Sequence, residues 1–157
     1  MEKENLHFRI GLSGTGKKLP EFKISIRDKE YVHGTLVANN TVEHFEFDAE
    51  IVEGAHSLDI AFLNKTVQDT RLDTNGNIVE DLLLNIDSIE IDEIDIGSLK
   101  WTASNYTPIY PDSYKKHVLS TGQEIETELK NCVNLGWNGT WSLPFTSPFY
   151  SWLLENI

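Results

Sequence analysis

Between Asn64 and Asp81 the chain gathers oxygen donors: Asp69, Asp73, Asn75, Asn77, Glu80 and Asp81, with Gly76 at a bend. Carboxylates and amides at this density suit calcium, a hard cation that takes about six to eight oxygens in a flexible shell. Asp73-Thr74-Asn75-Gly76-Asn77 sets donors at alternate positions. It is not an EF-hand, because no flanking helices are visible and the closing Glu is not at the expected distance. The same Asp-Asn-Gly grouping is also ordinary turn chemistry. Lys65 and Arg71 are the only formal positive charges in the stretch. A polar run of this length inside a compact domain marks a functional or a disordered loop.

The second group is aromatic. Trp101, Tyr106, Tyr110 and Trp137 are flanked by Pro, Asn or Gly, so they are the aromatic residues expected to stand exposed and to stack on a ligand. The denser run of Phe145, Phe149, Tyr150, Trp152 and Leu153 is too apolar to stay wet.

Other chemistry lacks support. Gly11-Leu12-Ser13-Gly14-Thr15-Gly16-Lys17-Lys18 nearly matches a phosphate-binding loop, but Lys18 stands where Ser or Thr must hold magnesium. Pro20 and an alternating strand follow where a helix is required. Asp87, Glu90, Asp92, Glu93 and Asp95 lie side by side along a strand, whereas glycosidase carboxylates face each other across a sugar. His7, His33, His44, His56 and His117 form no zinc-type pair, and no nucleophile elbow exists. Cys132 is alone, so no intramolecular disulfide forms. A net charge of −12, from 13 basic and 25 acidic residues, argues against nucleic acid and anionic membranes as partners. The first residues lack the apolar core of a secretion signal, and no stretch is apolar enough to span a membrane. No convergent acid, base and nucleophile can be assigned, so the chain is not expected to be an enzyme.

The elements that must carry these residues are strands. Phe22, Ile24 and Ile26, then Phe45, Phe47 and Ala49, then Leu58, Ile60 and Phe62 recur at period two, the pattern of half-buried strands. Turns are expected at Ser13–Gly16, at Asp28-Lys29 and at Asn39-Asn40. Such spacing predicts an all-β, antiparallel β-sandwich, with at least four strands in residues 7–63. Leu84 and Ile86 hold one phase and Ile89 and Ile91 the other, which requires a bulge near Ser88; Ile94 and Ile96 require a second break near Asp92. The 157 residues suffice for one domain. Its sandwich is expected in 1–100. Residues 101–157 are expected as an irregular, aromatic-rich C-terminal extension, packed on the sandwich or on a second copy in a homo-oligomer.

The order of these elements, and the run Gly54-x-His56-x-Leu58-x-Ile60-x-Phe62-x-Asn64 followed by Asp81-Leu82-Leu83-Leu84-Asn85-Ile86-Asp87-Ser88-Ile89, resembles the small calcium-dependent xylan-binding modules attached to plant-wall hydrolases. The resemblance covers roughly residues 7–96. It implies a jelly-roll-like sandwich and a glycan partner, bound through calcium that meets sugar hydroxyls directly. The oxygen donors it leaves for the ion are Asn64, Asp69, Glu80 and Asp81. Two positions depart from the family: Lys65 stands where it has Asp, and Leu82-Leu83 where it has Arg-Asn. The whole chain, including Asn131–Gly139 and Leu153–Ile157, is also similar to small proteins of marine tailed phages. That resemblance implies a virion-associated protein. The function expected is therefore a non-catalytic carbohydrate-binding module. Its rival is an assembly protein that keeps the sandwich without a sugar site.

Overall fold

The computed structural model describes residues 2–157. Five strands run from β1 to β5: β1 (Lys3–Thr15), β2 (Glu21–Ile26), β3 (Lys29–Thr35), β4 (Glu43–Val52) and β5 (Gly54–Phe62). A 3-10 turn at Val67–Asp69 leads to a short hairpin, β6 (Arg71–Leu72) and β7 (Ile78–Glu80). Then come β8 (Leu83–Ile91), β9 (Ile94–Asp95), α1 (Leu99–Thr102), β10 (Asn105–Pro108) and α2 (Asp112–Ser120). The chain closes with β11 (Leu129–Lys130), β12 (Asn134–Leu135), β13 (Gly139–Ser147) and α3 (Phe149–Asn156).

The strands form two antiparallel sheets. One has the order β12-β8-β1-β4, with β9 paired to β8; the other has the order β11-β10-β13-β5-β2-β3. Period two decides which side chains meet between them. Leu6, Phe8, Ile10 and Leu12 of β1 point inward, as do Phe22, Ile24 and Ile26 of β2 and Leu58, Ile60 and Phe62 of β5; all are buried. Phe22 pairs with Phe62, Ile24 with Ile60, and Ile26 with Leu58 across β2 and β5. Phe45 and Phe47 share the inward face but remain half-buried, because β4 is an edge strand. They are covered by rings instead: Phe47 stacks at 5.0 Å on Phe8 and 4.6 Å on Tyr31, and Phe45 lies 4.7 Å from Phe22.

The expected bulge lies in β8. Gly11 pairs with Ser88 and Leu12 with Ile86, so Asp87 is the extra residue. That one residue lets Leu84, Ile86, Ile89 and Ile91 all face the core. The second break is the turn at Asp92-Glu93, both at positive φ, which folds β9 back onto β8. On the outer face the acidic residues stand side by side and are met individually: Arg9 bonds Glu90 at 2.8 Å, and the amide of His7 donates to Asp92 at 2.8 Å.

Three expectations are corrected. Ser13, Gly14 and Thr15 remain in β1, so the connection to β2 starts at Gly16. The turn expected at Asp28-Lys29 lies one residue earlier, at Arg27-Asp28, where both residues are at positive φ. The C-terminal third is not merely irregular and does more than pack on the sandwich. β13 lies inside a sheet between β5 and β10, with Trp141, Leu143 and Phe145 buried. Its alternation had been hidden by Pro144 and by the aromatic density around it. Phe149, Trp152 and Leu153 of α3 are buried within the same chain, whereas Tyr150 and Leu154 are exposed. Among the described residues no helix is long and apolar enough to cross a membrane.

Candidate functional site

The Asn64–Asp81 segment leaves the end of β5 and is clamped from both sides. The Asn64 side chain accepts the Glu21 amide at 2.8 Å and donates to the Leu19 carbonyl at 3.0 Å, tying the loop to the start of β2. Asn138 bonds the backbone of Lys65 twice, accepting its amide at 2.7 Å and donating to its carbonyl at 2.9 Å. These bonds hold the Lys65 side chain inward, where it is 2% exposed. Its ammonium donates to Asp81 Oδ1 and, at 2.5 Å, to the carbonyl of Gly136. It lies 4.9 Å from the centre of the Trp137 ring, close enough for a cation–π contact.

Each expected cation ligand is thus already engaged. Asp81 Oδ1 also accepts Thr70 Oγ1 at 2.7 Å and the Leu82 amide at 2.8 Å. Burial alone would raise its pKa; the bonds from Lys65, Thr70 and the Leu82 amide outweigh it and hold the carboxyl below the usual range. Asp69 caps the 3-10 turn, accepting the Thr66 amide at 2.7 Å, and pairs with Lys18 at 3.2 Å. Partial burial opposes these bonds, but they keep Asp69 low as well. Glu80 lies between Lys17 at 2.7 Å and Arg71 at 3.0 Å. The Lys17 bond, with the Arg71 charge, holds it below its ordinary value. Asp73 accepts the amides of Asn75 at 2.8 Å and Asn77 at 3.0 Å, so the Asp-Asn-Gly run is a turn closing the β6–β7 hairpin. Among the described residues no group of three or more His, Cys, Asp or Glu is placed to hold a metal ion. As arranged, the donor set does not fit calcium, because ammonium groups stand against Asp69, Glu80 and Asp81 and the Asn64 amide is used on backbone.

A cleft of about 290 Å³ runs between Gly16–Lys18 and the Asp69, Glu80 and Asp81 side. Gly16 is required here. Its φ is +128°, and a Cβ would fall on the carbonyl oxygen of Asp81. The segment that resembles a phosphate loop in sequence therefore serves a different end. It brings Lys17 and Lys18 across to the acidic loop.

The aromatic residues converge on the other side of Lys65. Tyr110, after β10, Tyr114, in the first turns of α2, and Trp137, between β12 and β13, form one cluster. Ring centres are 5.2 Å apart for Tyr110–Tyr114, 5.0 Å for Tyr114–Trp137 and 6.0 Å for Tyr110–Trp137. Tyr110 and Tyr114 border a cleft of about 220 Å³ whose rim carries Gln123, Glu124 and Glu126, while Trp137 packs against both rings without lining it. Burial, then the neighbouring Tyr114 and Glu126, push the Tyr110 phenol above its ordinary pKa, so it stays a neutral donor. Tyr114 was missed as a site residue. The signal was its spacing of four from Tyr110, which brings the two rings together once α2 begins after Pro111.

Two expected aromatic ligands behave differently. Tyr106 is buried, at 1% exposure, not on the surface. It lies opposite Trp141 in the sheet, and its hydroxyl donates to the carbonyl of Trp137 while accepting the Trp137 amide at 3.1 Å. It therefore positions Trp137 from beneath. Burial drives its phenol far above the usual range. Trp101, 41% exposed on α1, is not one of the three clustered rings and has the Lys100 ammonium 5.1 Å from its centre.

The two antiparallel sheets, packed over one apolar core, make a β-sandwich. Solved structures share it. One is vCBM60, described with a circular permutation linking two families of calcium-dependent carbohydrate-binding modules, at TM-score 0.54 and 13% identity over 88% of this chain and 89% of that one. Another is vCBM60 in complex with galactobiose, at TM-score 0.52 and 12% identity over 87% of this chain and 96% of that one. At such identities the likeness concerns the fold. No family model and no curated protein matches the sequence.

Proposed function

We propose that the chain is a non-catalytic carbohydrate-binding module that takes a glycan in the Tyr110–Tyr114 cleft, with Trp137 packed against the two rings. The observation that carries this reading is the convergence of three rings 5.0 to 6.0 Å apart beside exposed carboxylate and amide groups. A pyranose has an apolar C–H face and a rim of hydroxyls. An aromatic ring covers the first, and Gln123, Glu124 and Glu126 accept from the second. That galactobiose occupies a module of the same fold supports a glycan as ligand.

A glycan array in calcium and in chelator tests the reading. A neutral oligosaccharide should be retained by the native chain. Tyr110→Ala and Tyr114→Ala should each weaken it by roughly tenfold or more, the usual effect of removing a central aromatic anchor. Trp101→Ala should leave it unchanged. An array without any retained glycan would leave the assembly protein as the better reading. A virion is the setting we propose for it, on the sequence resemblance of Asn131–Gly139 and Leu153–Ile157 alone. Immunogold labelling of particles from a phage encoding the chain checks that.

A further inference from the structure

We infer that Lys65 is a built-in counter-ion that makes this sandwich independent of calcium. The solved modules of the same fold are described as calcium-dependent, yet here the loop leaving β5 carries an ammonium at its centre. The inference goes beyond the sugar reading and stands without it.

Three observations support it. First, the Lys65 side chain is buried, and its charge is met by a carboxylate, a carbonyl and a ring face: Asp81, Gly136 and Trp137. An ammonium has three N–H donors, and these partners account for them. Second, its backbone is fixed by both atoms of the Asn138 amide, so the inward course of the side chain is built rather than incidental. Third, the neighbouring carboxylates are neutralised one by one, Asp69 by Lys18 and Glu80 by Lys17 and Arg71. Calcium gains affinity from uncompensated carboxylates held close together. Here a cation would have to displace a buried ammonium and then leave it unpaired, which costs more than an exposed ion pair would. Lys65 also links two regions far apart in the chain. It fastens the acidic loop to Gly136–Trp137, and so to the aromatic cleft.

The test uses the full chain without sugar. Thermal melts are recorded in millimolar calcium and in chelator, with isothermal calorimetry of calcium alone. The native chain should melt at the same temperature in both and give no binding heat. A native-state calcium site at hundredfold excess over its Kd would instead raise the melting temperature by roughly 5–10 °C, and that result overturns the inference. Lys65→Met should melt several degrees below the native chain in chelator, and Lys65→Arg, which keeps the charge, should recover part of the loss. A Lys65→Met chain that melts like the native one also overturns it, since the ammonium would then be holding nothing. If Lys65→Met does not fold, the native melt and the calorimetry still decide.

Discussion

Single side chains in this molecule are placed by charge, and one of them is a histidine held between two carboxylates. His7, on the outer face of β1, bonds Asp48 at 2.9 Å and Glu46 at 3.1 Å, two neighbours on β4. The bond to Asp48, then that to Glu46, raises its pKa above the ordinary 6.5. Because the folded value is the higher one, the contribution is fully present below the unfolded pKa and is lost as pH rises through the folded one. His7 is half-buried and both carboxylates are exposed, so solvent screens the pairs and the effect on stability is small. His7 should titrate above 6.5 by NMR, and His7→Gln should flatten the part of the stability profile that falls as pH rises above 6.5. A His7 resonance titrating at or below 6.5 would show that the two carboxylates do not act on it.

At the scale of elements, the bulge in β8 is the feature that most constrains register. Asp87 is the one residue without a partner on β1, and one of its carboxylate oxygens is buried without a hydrogen bond. Deleting Asp87 restores strict alternation: Leu84, Ile86, Ile89 and Ile91 stay on the inner face, and Ser88 still faces Gly11. Deleting Asn85 instead turns Ile86 outward. Exposing one such side chain costs about 1.5–3 kcal/mol. The Asn85 deletion should therefore melt lower than the Asp87 deletion by roughly 3–12 °C. Equal melting temperatures would mean that the ladder does not hold its phase.

At the scale of the whole molecule, the two ends of the chain close one core. β5 lies between β2 and β13, so a strand from the last quarter completes a sheet begun by the first. Glu4 near the N-terminus accepts the Phe149 amide at 2.8 Å at the start of α3. Removing residues 137–157 takes away Trp141, Leu143 and Phe145 together with the ladder partner of β5. The truncated chain should lose its cooperative thermal transition in circular dichroism. A cooperative melt near the native temperature would show that residues 2–136 form a complete core.

What the sequence by itself determined is local and periodic. Alternation assigned the inward faces of β2 and β5. The change of phase between Ile86 and Ile89 located the bulge. The polar run after Asn64 identified the loop that matters. These follow from a strand's period of two, which any short segment displays. Lys65 at the expected Asp position raised the question of the ion without answering it. Only tertiary structure decided that Lys65 turns inward to Asp81 and Gly136, residues far along the chain, and that Lys17 and Lys18 reach the carboxylates from the β1–β2 connection. It also separated two tyrosines of similar local sequence: Tyr106 is buried because its strand pairs with β13, whereas Tyr110 lies just beyond the strand, where the chain turns into α2. The reason is physical. Burial and ion pairing depend on which distant backbone comes alongside, and a β-sandwich draws those neighbours from opposite ends of the chain.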